Sequence, residues 1–224
     1  MKTGVQALAS GIVGLAVFAA ALFWPAGTFG YWQAWVFLAI FVISSTVSSI
    51  YLATTNPEVL QRRLHGGPIA ETRLVQKVAV TVLLSSFVAL VVVSAFDHRF
   101  GWSHVPTWLV IVGEVLVVAG LGAATLVVAQ NNYAGASITV ESGQTVTSTG
   151  LYGLVRHPMY TGSLVMMVGM PVALGSYWGL LAAIPATASL VVRILDEEKM
   201  LRHDLPGYDE YTEKVRNRLV PLVW

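Results

Sequence analysis

Of 224 residues, 55% are hydrophobic and only 11% are charged, so the chain lacks the polar surface of a soluble domain, where about a quarter of residues carry charge. A net charge of +1 excludes no partner, but the lack of cysteine excludes disulfides, thiolate metal sites, iron–sulfur clusters and a cysteine nucleophile. Mean hydropathy of +0.68 at this length fits one helical membrane domain.

Six apolar segments follow in order, at about 8–24, 31–53, 78–96, 107–130, 159–174 and 177–195. The first follows a single charge, Lys2, as a signal peptide would. It lacks a small-residue cleavage site before Pro25, and Trp24, Tyr31 and Trp32 have the character of interfacial anchors, so it is read as a span. The fourth contains Gly113, Gly120, Gly122, Ala123 and Ala124, and Gly120 with Ala124 permits close helix approach in lipid. It also holds Glu114, an ionisable residue near membrane depth and a functional flag by default; the simpler reading is an interfacial residue that snorkels or pairs with Arg99. The fifth segment has sixteen residues and reaches about 24 Å, short of a hydrocarbon core of about 30 Å. It is expected to form a hairpin with the sixth through Gly175-Ser176, with Pro171 and Pro185 as candidate kinks. The fold class is therefore an all-α, polytopic helical membrane protein with five or six transmembrane helices.

With the N-terminus inside, only Arg99 of the thirteen basic residues falls on the outer side. This asymmetry predicts an inner or plasma membrane protein with both termini cytoplasmic. The five histidines (His65, His98, His104, His157, His203) show no metal-ligand spacing, and neither metal nor nucleic acid is expected as a partner.

Two regions break the apolar pattern. Residues 131–158, "NNYAGASITVESGQTVTSTGLYGLVRHP", form a polar stretch too long and too poor in charge for an ordinary loop, with extended-looking pieces at Ile138–Val140 and Thr145–Thr147. The tail 196–224 holds seven of the twelve acidic residues. Pro206-Gly207 divides it, and Tyr208, Tyr211 and Val215 share one face of the second piece, as in an interfacial helix. The expected organisation is about four transmembrane helices over 1–130, then a C-terminal core over 131–224 with the hairpin and interfacial C-terminal helices.

Chemistry concentrates in "RHPMY" (156–160) and "RILDEE" (193–198). Pro158 suits the first position of a helix, with His157 flanking it, so the exposed amides there form a positive pole for a carboxylate. Arg156, His157 and Tyr160 add donors and an aromatic face. Arg193 and Glu197 stand i, i+4, in the less favourable order for a helical salt bridge, which leaves ligand binding as the competing reading. Both motifs flank the same hairpin and can converge on one cytoplasmic-side pocket.

"VTSTGLYGLVRHPMYTG" followed by "RILDEEKMLRHDLPGYDEYTEKVRNRLVP" resembles the isoprenylcysteine carboxyl methyltransferase family of integral membrane enzymes. Phosphatidylethanolamine N-methyltransferases are more distant relatives, and "NPEVLQRRL" (56–64) is similar to bacterial members of the group. The resemblance spans about 130–224. It implies an S-adenosylmethionine-dependent methyltransferase acting on a lipophilic or small hydrophobic acceptor, with the carboxylate, amine or thiol left open. The implied cofactor contacts are Gln144, Thr145, Val146, Thr147, Tyr152, His157, Pro158, Met159, Tyr160 and Glu197. The implied substrate-binding residue is Arg193, and the catalytic set is Arg193, Glu197 and His157. Gln144 stands where the prenylcysteine enzymes carry His, and the upstream polar contact falls near Ser137 instead of a Gln. Steroid-reductase-like membrane proteins carry a similar motif reading RHPNY then Gly-Glu; here Met159 and Gly162-Ser163 take those places. A non-catalytic scaffold is the third reading, one that gives no reason for converging polar motifs.

Overall fold

The computed structural model describes residues 2–64, 66–135, 137–141 and 143–224; His65 lies outside them. All six apolar segments are helices, joined by two short polar ones. In chain order these are α1 (Lys2–Ala26), α2 (Trp32–Thr55), α3 (Pro57–Leu64), α4 (Leu74–Phe100), α5 (Thr107–Gln130), α6 (Pro158–Ala173), α7 (Ala183–Asp204) and α8 (Tyr208–Lys214). Single 3-10 turns cover Gly150–Gly153 and Trp178–Ala182, and no strand occurs among the described residues. Among the described residues, four helical stretches are long and apolar enough to cross a membrane: α2, α4, α5 and Trp178–Asp204, which includes α7. Their outward faces remain apolar, as Val115, Ile111, Leu126 and Ile184 show, because in lipid a helix satisfies its own backbone and needs no polar face.

The helices pack as an antiparallel bundle, with α5 along α6 and α4 along α7. Glycines set the first contact. A Cβ on Gly113 would meet the Ala173 backbone at 2.3 Å, one on Gly120 the Gly162 carbonyl at 2.6 Å, and one on Gly169 the Leu116 Cβ at 2.7 Å. The expected close approach at Gly120 is therefore real, while Gly122 faces open space. A central apolar core joins Leu22, Phe37, Leu90, Val117, Met170 and Leu174 from five helices and the turn after α6.

The short α6 does reach the far end face. The Tyr31 hydroxyl donates to the Leu174 carbonyl at 2.5 Å, and Ser176 Oγ donates to Asp97 Oδ2 at 2.5 Å. The α1–α2 turn, the end of α4 and the α6–α7 turn thus meet at one level. The expected shortfall lies at the other end: the register of Gly162 on Gly120 and Ala123 puts Pro158 about one turn inside the end of α5. That recess is where the polar stretch folds in. Pro185 falls in the first turn of α7, where a missing N–H costs little, while Pro171, in the last turn of α6, removes one intrahelical donor close to the helix end; both helices run through them.

Glu114 does not pair with Arg99. The end of α4 lies against α1, so the Arg99 guanidinium donates to the Pro25 carbonyl at 3.5 Å, where a Cβ on Gly27 would meet it at 3.4 Å, and lies over the Phe100 ring at 5.7 Å. Glu114 is buried, and neither carboxylate oxygen has a hydrogen-bond partner among the described residues. The apolar face of the tail is also covered: Leu205, Tyr208, Tyr211 and Val215 pack against Val140, Val146 and Leu201, so α8 closes over the polar stretch.

Candidate active site

One cavity lies in the recess above α6. It is partly open to solvent and lined by residues from the polar stretch, the start of α6 and α7. Every residue expected at the site lines it: Gln144, Thr145, Val146, Thr147 and Tyr152 from the polar stretch, His157, Pro158, Met159 and Tyr160 from the start of α6, and Arg193 and Glu197 from α7. Ser137 lines it as well, with Asn131, Tyr133, Arg156, Tyr208 and Tyr211.

The polar stretch is held by specific bonds. Arg62 of α3 pairs with Glu141 at 3.2 Å and donates to the Asn132 carbonyl at 2.8 Å. Asn56 Nδ2 donates to Asn132 Oδ1 at 2.9 Å, which gives the "NPEVLQRRL" segment its structural purpose. At the other end Gly150 adopts φ +60° against the Gln130 side chain, where a Cβ would lie 2.6 Å from Oε1; that same oxygen accepts the Leu151 N–H at 2.9 Å. Asn131 donates to the Tyr152 hydroxyl at 3.0 Å, and the Tyr211 hydroxyl donates to the Tyr152 carbonyl at 2.8 Å.

His157 is the N-cap of α6 and Pro158 its first residue, as the sequence implies. The positive pole is narrower than expected. The His157 N–H is taken by the Arg218 carbonyl at 2.9 Å, and the Tyr160 and Thr161 amides return to the His157 carbonyl at 3.1 Å. Only the Met159 amide of this turn has no partner among the described residues, and it lies in the cavity wall. The Tyr208 hydroxyl, also in the wall, is buried with no hydrogen-bond partner among the described residues.

Two consecutive acids of α7 diverge. Glu197 meets the cavity: its Oε2 accepts the Tyr160 hydroxyl at 2.7 Å and lies 3.9 Å from His157 Nδ1. Glu198 turns inward, where Arg156 Nε reaches its Oε1 at 2.7 Å, His157 Nε2 stands 3.3 Å away and Arg218 Nε reaches Oε2 at 3.0 Å. The Arg156 N–H donates to the Asn217 carbonyl and its guanidinium to the carbonyls of Val215 and Arg216, so the motif arginine is a brace between α6, α7 and the tail.

Arg193 and Glu197 are linked through Tyr160, whose hydroxyl accepts Arg193 Nε at 3.0 Å while donating to Glu197. Arg193 Nη1 also pairs with Glu71 at 2.8 Å and donates to Gln76 Oε1 at 2.7 Å. Neither Glu71, from the α3–α4 connection, nor Gln76, from the first turn of α4, was singled out in the sequence. An uncharged polar residue beside Lys77 at the head of an apolar helix was the available signal for Gln76; Glu71 offered none. Burial pushes the hydroxyls of Tyr152, Tyr208 and Tyr211 above the ordinary value near 10, so all three stay neutral hydrogen-bonding groups.

An all-helical membrane bundle with a polar cavity sunk at one end face is the class that fold and site define. Residues 108–205, just under half of the chain, match the phospholipid methyltransferase family model. The match begins at α5 and stops after α7, so it includes the glycine contacts and omits α8. A mouse (Mus musculus) Delta(14)-sterol reductase is 31% identical over 91 residues, 39% of this chain and 22% of the reductase. The matched segment thus spans about a fifth of that relative's length.

Proposed function

We propose that the cavity binds S-adenosylmethionine and transfers its methyl group to a lipophilic or small hydrophobic acceptor at the membrane interface. The observation that carries this reading is convergence: two motifs about 35 residues apart, together with the polar stretch, line a single recess. The donor set fits the cofactor. Glu197 offers a carboxylate to a cationic sulfonium or ammonium, Met159 an unpartnered amide to a carboxylate, and Tyr133, Tyr152 and Tyr160 aromatic faces. The bound cofactor supplies an electrophilic methyl on a sulfonium whose leaving group departs neutral.

The protein's task is then mainly placement and exclusion of water. Arg156 and Glu198 fix the start of α6, Tyr160 aims Glu197 into the cavity, and α8 covers the polar stretch. An amine or thiol acceptor must lose a proton, and Glu197 and His157 are the groups within the cavity able to take it. Arg193, on the bilayer side, contributes to the acceptor end. The basic asymmetry supports a cavity open to the cytoplasm, with both termini on that side of an inner or plasma membrane. The organisation follows: helices within 1–130 form the scaffold and 131–224 the catalytic core.

A second reading has one observation in its favour, the similarity to the sterol reductase, and would make the cavity an NADPH site. The family match and Met159 with Gly162-Ser163 support methyl transfer over it. Equilibrium binding of both cofactors to the purified protein separates the two. S-adenosylmethionine should bind, and the Glu197→Ala variant should lose it. Absent binding, unchanged binding in the variant, or preference for NADPH overturns the proposal.

A further inference from the structure

Behind the bilayer-side wall of the cavity, Arg193 forms a charge pair with Glu71 that joins the two halves of the chain. Glu71 keeps only 2% of its side chain exposed, with Oε1 2.8 Å from Arg193 Nη1. Its Oε2 accepts the Ile138 N–H at 3.4 Å, tying the polar stretch to the same point. Gln76 locks the arrangement from α4: it accepts Arg193 Nη1 through Oε1 and donates through Nε2 to the Arg193 carbonyl at 3.2 Å and to Asp196 Oδ2 at 2.5 Å. Arg193 stands one helical turn farther from the end of α7 than Glu197, so it is the cavity's charged group nearest the bilayer.

A guanidinium without a counterion at that position would be a fork for a carboxylate. Here the fork already faces Glu71, and Tyr160 links it to Glu197. An incoming carboxylate would be the third negative group around one cation, in a setting where like charges at short range disfavour ionisation or binding. We propose that Glu71 is a specificity-determining positioning residue: it neutralises Arg193 and reserves the cavity for an acceptor that reacts through nitrogen or sulfur and carries no anionic group there. The inference rests on the methyl-transfer reading above. For an amine acceptor, the nitrogen lone pair forms the new N–C bond while the C–S bond breaks and its electron pair returns to sulfur. The proton then released from nitrogen passes to the Glu197 carboxylate or to water.

The test uses full-length protein in nanodiscs with two probes of matched tail, oleylamine and oleic acid, near neutral pH, with S-adenosylmethionine binding measured in parallel. Wild-type protein should prefer oleylamine. Glu71→Gln should move the affinity ratio toward oleate on the order of tenfold, because it exposes a cation without removing one. Glu71→Asp should keep the wild-type preference. The double variant Glu71→Gln with Arg193→Gln, which leaves no buried charge unpaired, should not acquire oleate binding. A ratio in Glu71→Gln within about twofold of wild type, or a wild-type preference for oleate, overturns the proposal. The expected shift in protein that never binds S-adenosylmethionine would sustain the role of Glu71 and sink the methyl-transfer reading alone.

Discussion

Glu197 and Glu198 are neighbours on one helix, yet they serve two different regions of the molecule. Glu197 is one-fifth exposed in its side chain and accepts a hydrogen bond from the Tyr160 hydroxyl, which leaves its carboxylate facing the cavity. Glu198 is 4% exposed and ties together two arginines and a histidine from two other parts of the chain. One acid keeps spare hydrogen-bonding capacity, whereas the other has spent its own. The region around Glu198 is closed and braced so that the region around Glu197 can stay open.

The contrast can be tested from its strongest side. Glu198→Ala leaves Arg156 buried without its counterion and should lower stability by about 3–5 kcal/mol, read as a loss of thermal midpoint in detergent. A variant as stable as wild type would erase the distinction between the two acids. Glu197→Gln should leave that midpoint nearly unchanged and weaken S-adenosylmethionine binding by roughly 10- to 100-fold, the scale of a charge-assisted contact. The reverse pattern would exchange the two roles.

Alkaline pH reports on the closing side of the cavity. Tyr152, Tyr208 and Tyr211 have raised folded-state values, so their contribution to stability is full below pH of about 10. It declines above that as the unfolded phenols ionise and the folded ones do not. Tyrosinate absorbance should therefore rise together with unfolding; phenols that titrate freely at their ordinary value in folded protein would contradict the packing of α8. The smallest effect belongs to Asp209, whose pair with Arg202 is largely exposed: Asp209→Asn should change stability by no more than about 0.5 kcal/mol in the same melt. A larger loss would show that α8 depends on its surface.

The site was legible where its determinants are local. Pro158 announces a helix start, and i, i+4 spacing puts Arg193 beside Glu197, so those residues could be placed without a structure. The polar stretch was legible as a region, since its length and low charge disagree with an ordinary loop. The partners at long range were not. Glu71 lies in a connection without motif and meets Arg193 across more than a hundred residues, and hydropathy gives no information about such a pairing. Glu198 was visible only as half of a doublet, because sequence does not say which of two adjacent acids a helix turns inward. Glu114 failed for a related reason: its expected partner was chosen by depth, while the bundle had placed α4 beside α1.

Six of the seven tryptophans, at positions 24, 32, 35, 102, 108 and 178, are exposed at the end face opposite the cavity. Indole rings favour the headgroup level, so this girdle fixes one end of the protein to one leaflet. The distance from girdle to cavity is set by the bundle and does not change with the lipid. Membrane thickness therefore becomes a dial for the cavity mouth. Longer acyl chains draw it down among the hydrocarbon tails, and shorter ones lift it toward water. A bundle built this way couples the depth of its cavity mouth to the lipids around it.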